Sequence, residues 1–360
     1  MLSHGAGGCP SHDQVFQQLY HMKKATSVCA AMHKHSAYTG GSESSVRHWW
    51  RFQELLGTDA QFEGAADVQT ATFSWLNESI PLQSFALRRD LFAFMTRHQL
   101  APDNKALGMA KELNPAIYHV LQPLSDPEPA SLGLGDAQPR QPTLNACRHT
   151  LLLLLLLHHI PKAERQAGVH VLEVGGGYGN MARMALLAGA ATVSVPRWTV
   201  FDMRQSTLVQ EWMLRMTLPR SLHARNVTVR STREIGSADA DAIERFFGSV
   251  AEPQVTLVDT NHFNSWASAT LFAAPPAGPR TPLVAIGTHS WSELPWEAFC
   301  QYFNAIAGRA KYILYATQTA WPSRALVRRK LARFHALYDT LIEQPFGGNS
   351  LNIVFRLKSL

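Results

Sequence analysis

The spacing of apolar positions changes character near the middle of the chain. From residue 11 to about 121 they recur at helical intervals. Trp49, Trp50, Phe52, Leu55 and Leu56 form one patch, and Leu87, Leu91, Phe94 and Met95 fall at i, i+4, i+7 and i+8, the stripe by which an amphipathic helix meets a core. These aromatics read as core rather than as a ligand cage. From residue 144 onward, short apolar runs alternate with helical stretches. The runs 169–174, 198–201, 255–258, 283–286 and 312–315 read as strands, and 180–187, 205–216 and 295–307 as helices. Residues 227–230 compete with 255–258 for the third strand; the second run is preferred because it is more apolar and ends on an acid, Asp259. Two last strand-like runs, 338–342 and 351–357, flank Gly347-Gly348-Asn349, which signals a hairpin. Alternating β and α predicts a doubly wound parallel α/β sheet, and the hairpin must place one strand antiparallel.

This pattern divides the chain into a mainly helical N-terminal region (1–121), a linker (122–143) and an α/β domain (144–360). The linker carries five prolines, with Gly133 and Gly135 between them, a composition of surface loops. Seven consecutive leucines, 151–157, precede the first strand. A membrane span needs about 20 apolar residues, so the run reads as a buried helix leading into the sheet. The N-terminus shows no apolar signal-peptide core. Cys9, Cys29, Cys147 and Cys300 form no C-x-x-C pair or zinc spacing, which fits a reduced, cytoplasmic protein. No compact metal-ligand set is visible.

Hydrophobic residues make up 46% and charged residues 17% of the chain, a globular composition. The net charge of +6 favours anionic partners only weakly, because a nucleic-acid binder gathers its charge into a dense stripe. The densest basic run is Arg324, Arg328, Arg329, Lys330 and Arg333. It reads as a solvated helix face, with a site for a phosphorylated or acidic acceptor as the sharper alternative. The expected partner is a small molecule, not nucleic acid or a membrane, and a homo-oligomer is left open.

The strongest chemical signal lies at Glu173-Val174-Gly175-Gly176-Gly177-Tyr178-Gly179, an E-x-G-x-G-x-G at a strand-to-helix junction. Glycines allow a sharp turn and close approach of a ligand, and the helix N-terminus offers free N–H groups to a carboxylate. Glu173 adds negative charge for an ammonium group. These features favour S-adenosylmethionine, held by Glu173, Gly175, Gly177, Tyr178 and Gly179. The rival G-x-G-x-x-G of nicotinamide enzymes fits only when started at Gly177, with Ala182 in its last place, and leaves Glu173 without a role. Asp202 ends the second strand, where an acid accepts ribose hydroxyls in either cofactor class; as an alternative it caps the following helix. Asp259 is placed to meet the adenine or ribose edge.

The glycine motif, followed by Phe201-Asp202-Met203 and by Gln210-Glu211-Trp212, resembles the sugar O-methyltransferase family. His289-Ser290-Trp291-Ser292-Glu293-Leu294-Pro295 and Tyr302-Phe303 resemble its box after the fourth strand. The resemblance covers about residues 145–357. It departs from the family at Met203-Arg204 and in the proline-rich loop holding Pro275, Pro276, Pro279 and Pro282. It implies a Rossmann-like class I methyltransferase sheet, S-adenosylmethionine as cofactor and a saccharide acceptor. The expected activity is methyl transfer to a small-molecule hydroxyl. The alternatives are a nicotinamide-dependent oxidoreductase and a non-catalytic methyltransferase-like binding module. His289, directly after the fourth strand, is the candidate general base, with Glu293 to orient it and His262 as the competing base.

Overall fold

The structure is a computed structural model that describes residues 103–125, 144–189, 192–202, 204–221, 224, 226–232, 246–247, 253–259, 281–288, 290–294, 296–318, 324–346 and 350–359. The helical patches read at residues 49–56 and 87–95 lie outside the described residues.

Two helices, α1 (Asn104–Leu113) and α2 (Pro115–Leu121), precede the leucine-rich α3 (Leu144–His159) and the short α4 (Lys162–Ala167). Each of the first two is capped from within the sequence. Asp103 accepts the N–H of Ala106, and Asn114 accepts that of Ile117 ahead of a proline in the first turn. The chain then alternates: β1 (His170–Val174), α5 (Asn180–Ala188), β2 (Arg197–Asp202), α6 (Arg204–Thr217), β3 (Thr228–Ser231), β4 (Gln254–Asp259) and β5 (Leu283–Thr288). A single helical turn, α7 (Ser290–Glu293), leads to α8 (Trp296–Ile306), β6 (Ala310–Gln318), α9 (Arg324–Leu337), β7 (Tyr338–Pro345) and β8 (Ser350–Leu357).

The strands form one eight-stranded sheet in the order β3-β4-β2-β1-β5-β6-β8-β7. β1 to β6 are mutually parallel, and β8 enters antiparallel between β6 and β7. This is the Rossmann-like α/β sheet with a terminal antiparallel hairpin that the sequence predicts. Both candidate third strands exist. β4 takes the place beside β2, and β3 is added outside it as the sheet edge. β3 is half exposed, whereas every residue of β4 is buried.

Helices cover both faces. On one face α1, α2, α3, α5 and α6 close over Val171, Trp198, Val200, Val255, Val284 and Leu314. On the other, α7, α8 and α9 close over Leu172, Phe201, Val258, Ala285, Ile313 and Phe355. Strands buried on both sides read as continuous apolar runs, which is why the sequence marks them well. All seven leucines of 151–157 are at most 4% exposed, so α3 is enclosed around its circumference, as an all-apolar helix requires.

Two boundaries differ from the sequence reading. Ala106, Ala110, Ile117 and Leu121 sit in the same buried cluster as α3 and the sheet, so α1 and α2 share the core of the α/β unit. The start of the predicted linker is also structured. Residues Gln122–Leu124 form a 3-10 turn, and the carbonyls of Leu124 and Ser125 accept hydrogen bonds from Arg183 and Asn180 of α5. Residues 126–143 lie outside the described residues.

Candidate cofactor site at the carboxyl ends of the strands

After β2 the chain moves outward to β4 and β3, then returns to lay β5 on the other side of β1. In open α/β sheets a ligand crevice forms at such a reversal, beyond the carboxyl ends of the strands. The glycine motif, Asp202, Asp259 and the α7 turn all lie at that end.

β1 continues one residue past Val174, because Gly175 donates its N–H to Phe201 at 2.7 Å. The loop then turns with Gly175 at φ +75° and Gly177 at φ +57°, backbone that side-chain-bearing residues seldom adopt. The two glycines serve different neighbours. A Cβ on Gly175 would fall 2.3 Å from Ser290 Cβ, so that glycine lets α7 approach the loop. Among the described residues, a Cβ on Gly177 would meet nothing within 4 Å. Gly177 therefore opens onto free space on the exposed side of the loop. Gly179 is the N-cap of α5.

Tyr178 turns inward. It is 2% exposed, and its ring lies 5.8 Å from that of His149 on α3. Glu173 is also enclosed, at 1% exposure. Its Oε2 accepts the indole N–H of Trp198 at 2.9 Å. Burial pushes its carboxyl up to about 7; the Trp198 hydrogen bond opposes the rise and the nearby Asp202 carboxylate adds to it. The structure thus places Glu173 beneath the glycine loop, as a group that is half neutral near pH 7.

Asp202 and Asp259 close β2 and β4 and are register partners in the parallel ladder. Both are buried, at 7% and 6%. Adjacent strands are about 4.8 Å apart, so two acceptors stand side by side at the crevice floor. Asp202 Oδ2 accepts Gln210 Nε2 at 2.8 Å, and the N–H of Asp259 is held by Thr232 Oγ1 at 3.0 Å. Tyr302 of α8 reaches the same region. Burial, then Asp202 and Asp259, raise its phenol well above the usual range, so it stays protonated.

Gln210 was not singled out from the sequence as a site residue. Its Nε2 also donates to the Gly177 carbonyl at 2.9 Å, so one amide ties the glycine loop to Asp202. Both neighbours are acceptors, which fixes the amide orientation. Among the described residues Gln210 Oε1 is then buried without a partner, an arrangement that asks for a donor. The available signal was its place eight residues after Asp202, within the Gln-Glu-Trp stretch.

α7 is held from three sides. Ser290 donates its hydroxyl to the Val174 carbonyl. Trp291 packs so closely under β5 that a Cβ on Gly287 would fall 2.5 Å from its ring. From α9, Lys330 donates to the carbonyls of Trp291, Ser292 and Leu294. The basic run is therefore not simply a solvated face: Lys330 is fully buried, Arg329 lies over Trp296 at 3.7 Å, and Arg333 over Phe303 at 5.3 Å. Arg324, Arg328 and Arg329 are exposed. His289, His262 and the side chain of Glu293 lie outside the described residues. Among the described residues no three His, Cys, Asp or Glu side chains converge as a metal site, and no helix is long and apolar enough to cross a membrane.

No family model matches the chain, and no curated protein matches it. Among solved structures, it is similar to human N-acetylserotonin methyltransferase in complex with S-adenosylmethionine, at 11% identity and TM-score 0.33, over 89% of this chain and 69% of that one. The mitomycin 7-O-methyltransferase MmcR aligns at 13% identity and TM-score 0.30, over 90% and 86%. The CurJ carbon methyltransferase aligns at 10% identity and TM-score 0.33, over 96% and 99%. All three are named as methyltransferases, and likeness at this level says nothing about what this chain acts on.

Proposed function

We propose that this protein is an S-adenosylmethionine-dependent methyltransferase acting on a hydroxyl of a small, sugar-like acceptor. The observation that carries the cofactor reading is the glycine loop at the switch of the sheet, with Gly177 open to free space and Asp202 tied to it through Gln210. The residues present fit such a ligand. Asp202 accepts ribose hydroxyls, and Asp259 accepts an N–H or O–H donor at the nucleoside edge. The buried, unpartnered Oε1 of Gln210 accepts a further donor. The loop and the N-terminus of α5 take the carboxylate.

When bound, S-adenosylmethionine supplies an electrophilic methyl group on a sulfonium. This chain's part is to hold an acceptor hydroxyl in line with it and to remove the hydroxyl proton. His289, directly after β5, is the proposed proton acceptor. The sugar-like acceptor is supported by the sequence resemblance at Gln210-Glu211-Trp212 and at 289–295. The basic cluster does not replace it with a phosphorylated acceptor, because three of its members are engaged on α7 and α8.

Calorimetry of the full chain with S-adenosylhomocysteine and, separately, with NAD(H) tests the reading. Binding of S-adenosylhomocysteine with little or no response to NAD(H) is the expected result. Binding of NAD(H) alone would replace the reading with an oxidoreductase. Methyl transfer is then read over a panel of monosaccharides and glycosides, where cofactor binding without any turnover would favour a non-catalytic module.

A further inference from the structure

We propose that Lys330 is a positioning residue for the amino-acid end of the cofactor, acting from the far face of the sheet through α7. This rests on the cofactor reading above.

Asp202 marks the ribose end of the crevice, and the glycine loop with the α5 N-terminus marks the carboxylate end. With the cofactor held in this way its amino-acid end would lie along the loop, whose neighbour on the β5 side is Ser290 at Gly175. That wall is a helical turn of four residues, too short to sustain itself. Its last carbonyls have no partners within the turn. Lys330 supplies them from α9: its Nζ donates to Trp291 O at 2.8 Å, to Ser292 O at 2.9 Å and to Leu294 O. An ammonium has three donors, and a cation is favoured at a helix C-terminus. The ring of Trp291, whose carbonyl is one of the three, stacks on Phe334 of α9 at 5.5 Å. α9 thus grips the turn by charge and by aromatic packing. Ser290, at the other end of the turn, is locked on the Val174 carbonyl beside the loop. The chain of contact runs Lys330, α7, Ser290, Gly175.

A lysine that merely stabilised the fold would affect every ligand of the crevice alike. A positioning lysine affects the part of the ligand that lies against α7. The probes are S-adenosylhomocysteine, which carries the amino-acid end, and 5′-methylthioadenosine, which lacks it. In Lys330→Met, folding checked by circular dichroism, S-adenosylhomocysteine should bind about tenfold more weakly or worse, the scale of losing charge-assisted hydrogen bonds. 5′-Methylthioadenosine should stay within about twofold. Equal losses for both probes, or no loss for S-adenosylhomocysteine, would overturn the proposal. If Lys330→Met does not fold, Ser290→Ala provides the same comparison from the other end of the turn. In the unmodified protein, amides of residues 290–294 should exchange more slowly on adding S-adenosylhomocysteine than on adding 5′-methylthioadenosine, and no difference there also overturns it. Failure of the unmodified protein to bind either probe would remove the cofactor reading itself, whereas binding that ignores Lys330 removes only this inference.

Discussion

Replacing Glu173 with glutamine should raise stability at alkaline pH and leave it nearly unchanged at acid pH. The carboxyl is 1% exposed and lies beneath the glycine loop with Trp198 as donor. Its ordinary value of 4.5 is raised to about 7 in the folded protein, first by burial and then by Asp202. A carboxyl raised on folding binds more protons folded than unfolded between those two values. Its contribution is therefore fully present below about 4.5 and is lost as pH rises through about 7. The difference corresponds to about 3 kcal/mol at pH 8. Glutamine keeps a carbonyl for the Trp198 indole and cannot ionise, so Glu173→Gln should recover that amount. For a chain of 360 residues that is about 4 °C in Tm. The assay is thermal melting of both proteins from pH 4.5 to 8.5. Taking the difference between the two cancels the titration of distant groups. Melting profiles that run parallel across this range would refute the account, since they would show that Glu173 ionises no less readily folded than unfolded.

Gln210→Glu sets a further carboxylate against Asp202 and the Gly177 carbonyl, and should weaken S-adenosylhomocysteine by about tenfold or more; unchanged affinity by calorimetry would separate Gln210 from the site. Gly177→Asn keeps a residue tolerant of left-handed backbone while filling the open side of the loop. It should melt near the parent temperature and lose about tenfold or more in cofactor affinity; equal affinity would show that no ligand approaches there. His289→Ala should keep S-adenosylhomocysteine affinity and lower turnover on an accepted sugar by about 10²-fold. Near-parental turnover would move the proton to His262 or leave proximity alone as the source of rate.

The strands were legible because β1, β2, β4, β5 and β6 are buried on both faces, so apolar residues dominate them and only a few polar ones, Glu173, Thr199 and Thr256 among them, fall inside the runs. The glycine loop was legible because few other arrangements bring glycine, acid and strand end together. Register was not legible. That Asp202 and Asp259 are ladder partners depends on where β4 sits, and β3 gives only a weak pattern because a half-exposed edge tolerates Thr228 and Arg230. Lys330 was hidden for a related reason. Among arginines on an amphipathic helix, a lysine turned inward has the same spacing as one turned outward, and only the carbonyls of α7, 36 to 39 positions earlier in the chain, give it a reason to be buried. The Trp198 bond to Glu173 crosses neighbouring strands and is equally invisible to helical or strand periodicity. The segment after α2 read as linker because proline density outweighed the few residues, Gln122 to Ser125, that dock on α5.

The seven-leucine helix has a consequence for how the chain reaches this structure. α3 packs against α1, which precedes it, but also against α5, β6 and β8, and β6 and β8 begin at Ala310 and Ser350. Loop closure over such separations makes these contacts late. Until they form, Leu151–Leu157 presents unbroken hydrocarbon to its surroundings. An exposed run of that kind is what self-associates in partly folded chains and what holding chaperones bind. Yield of this protein should therefore depend on synthesis temperature and chaperone supply far more than its native surface, which buries every one of those leucines, would indicate.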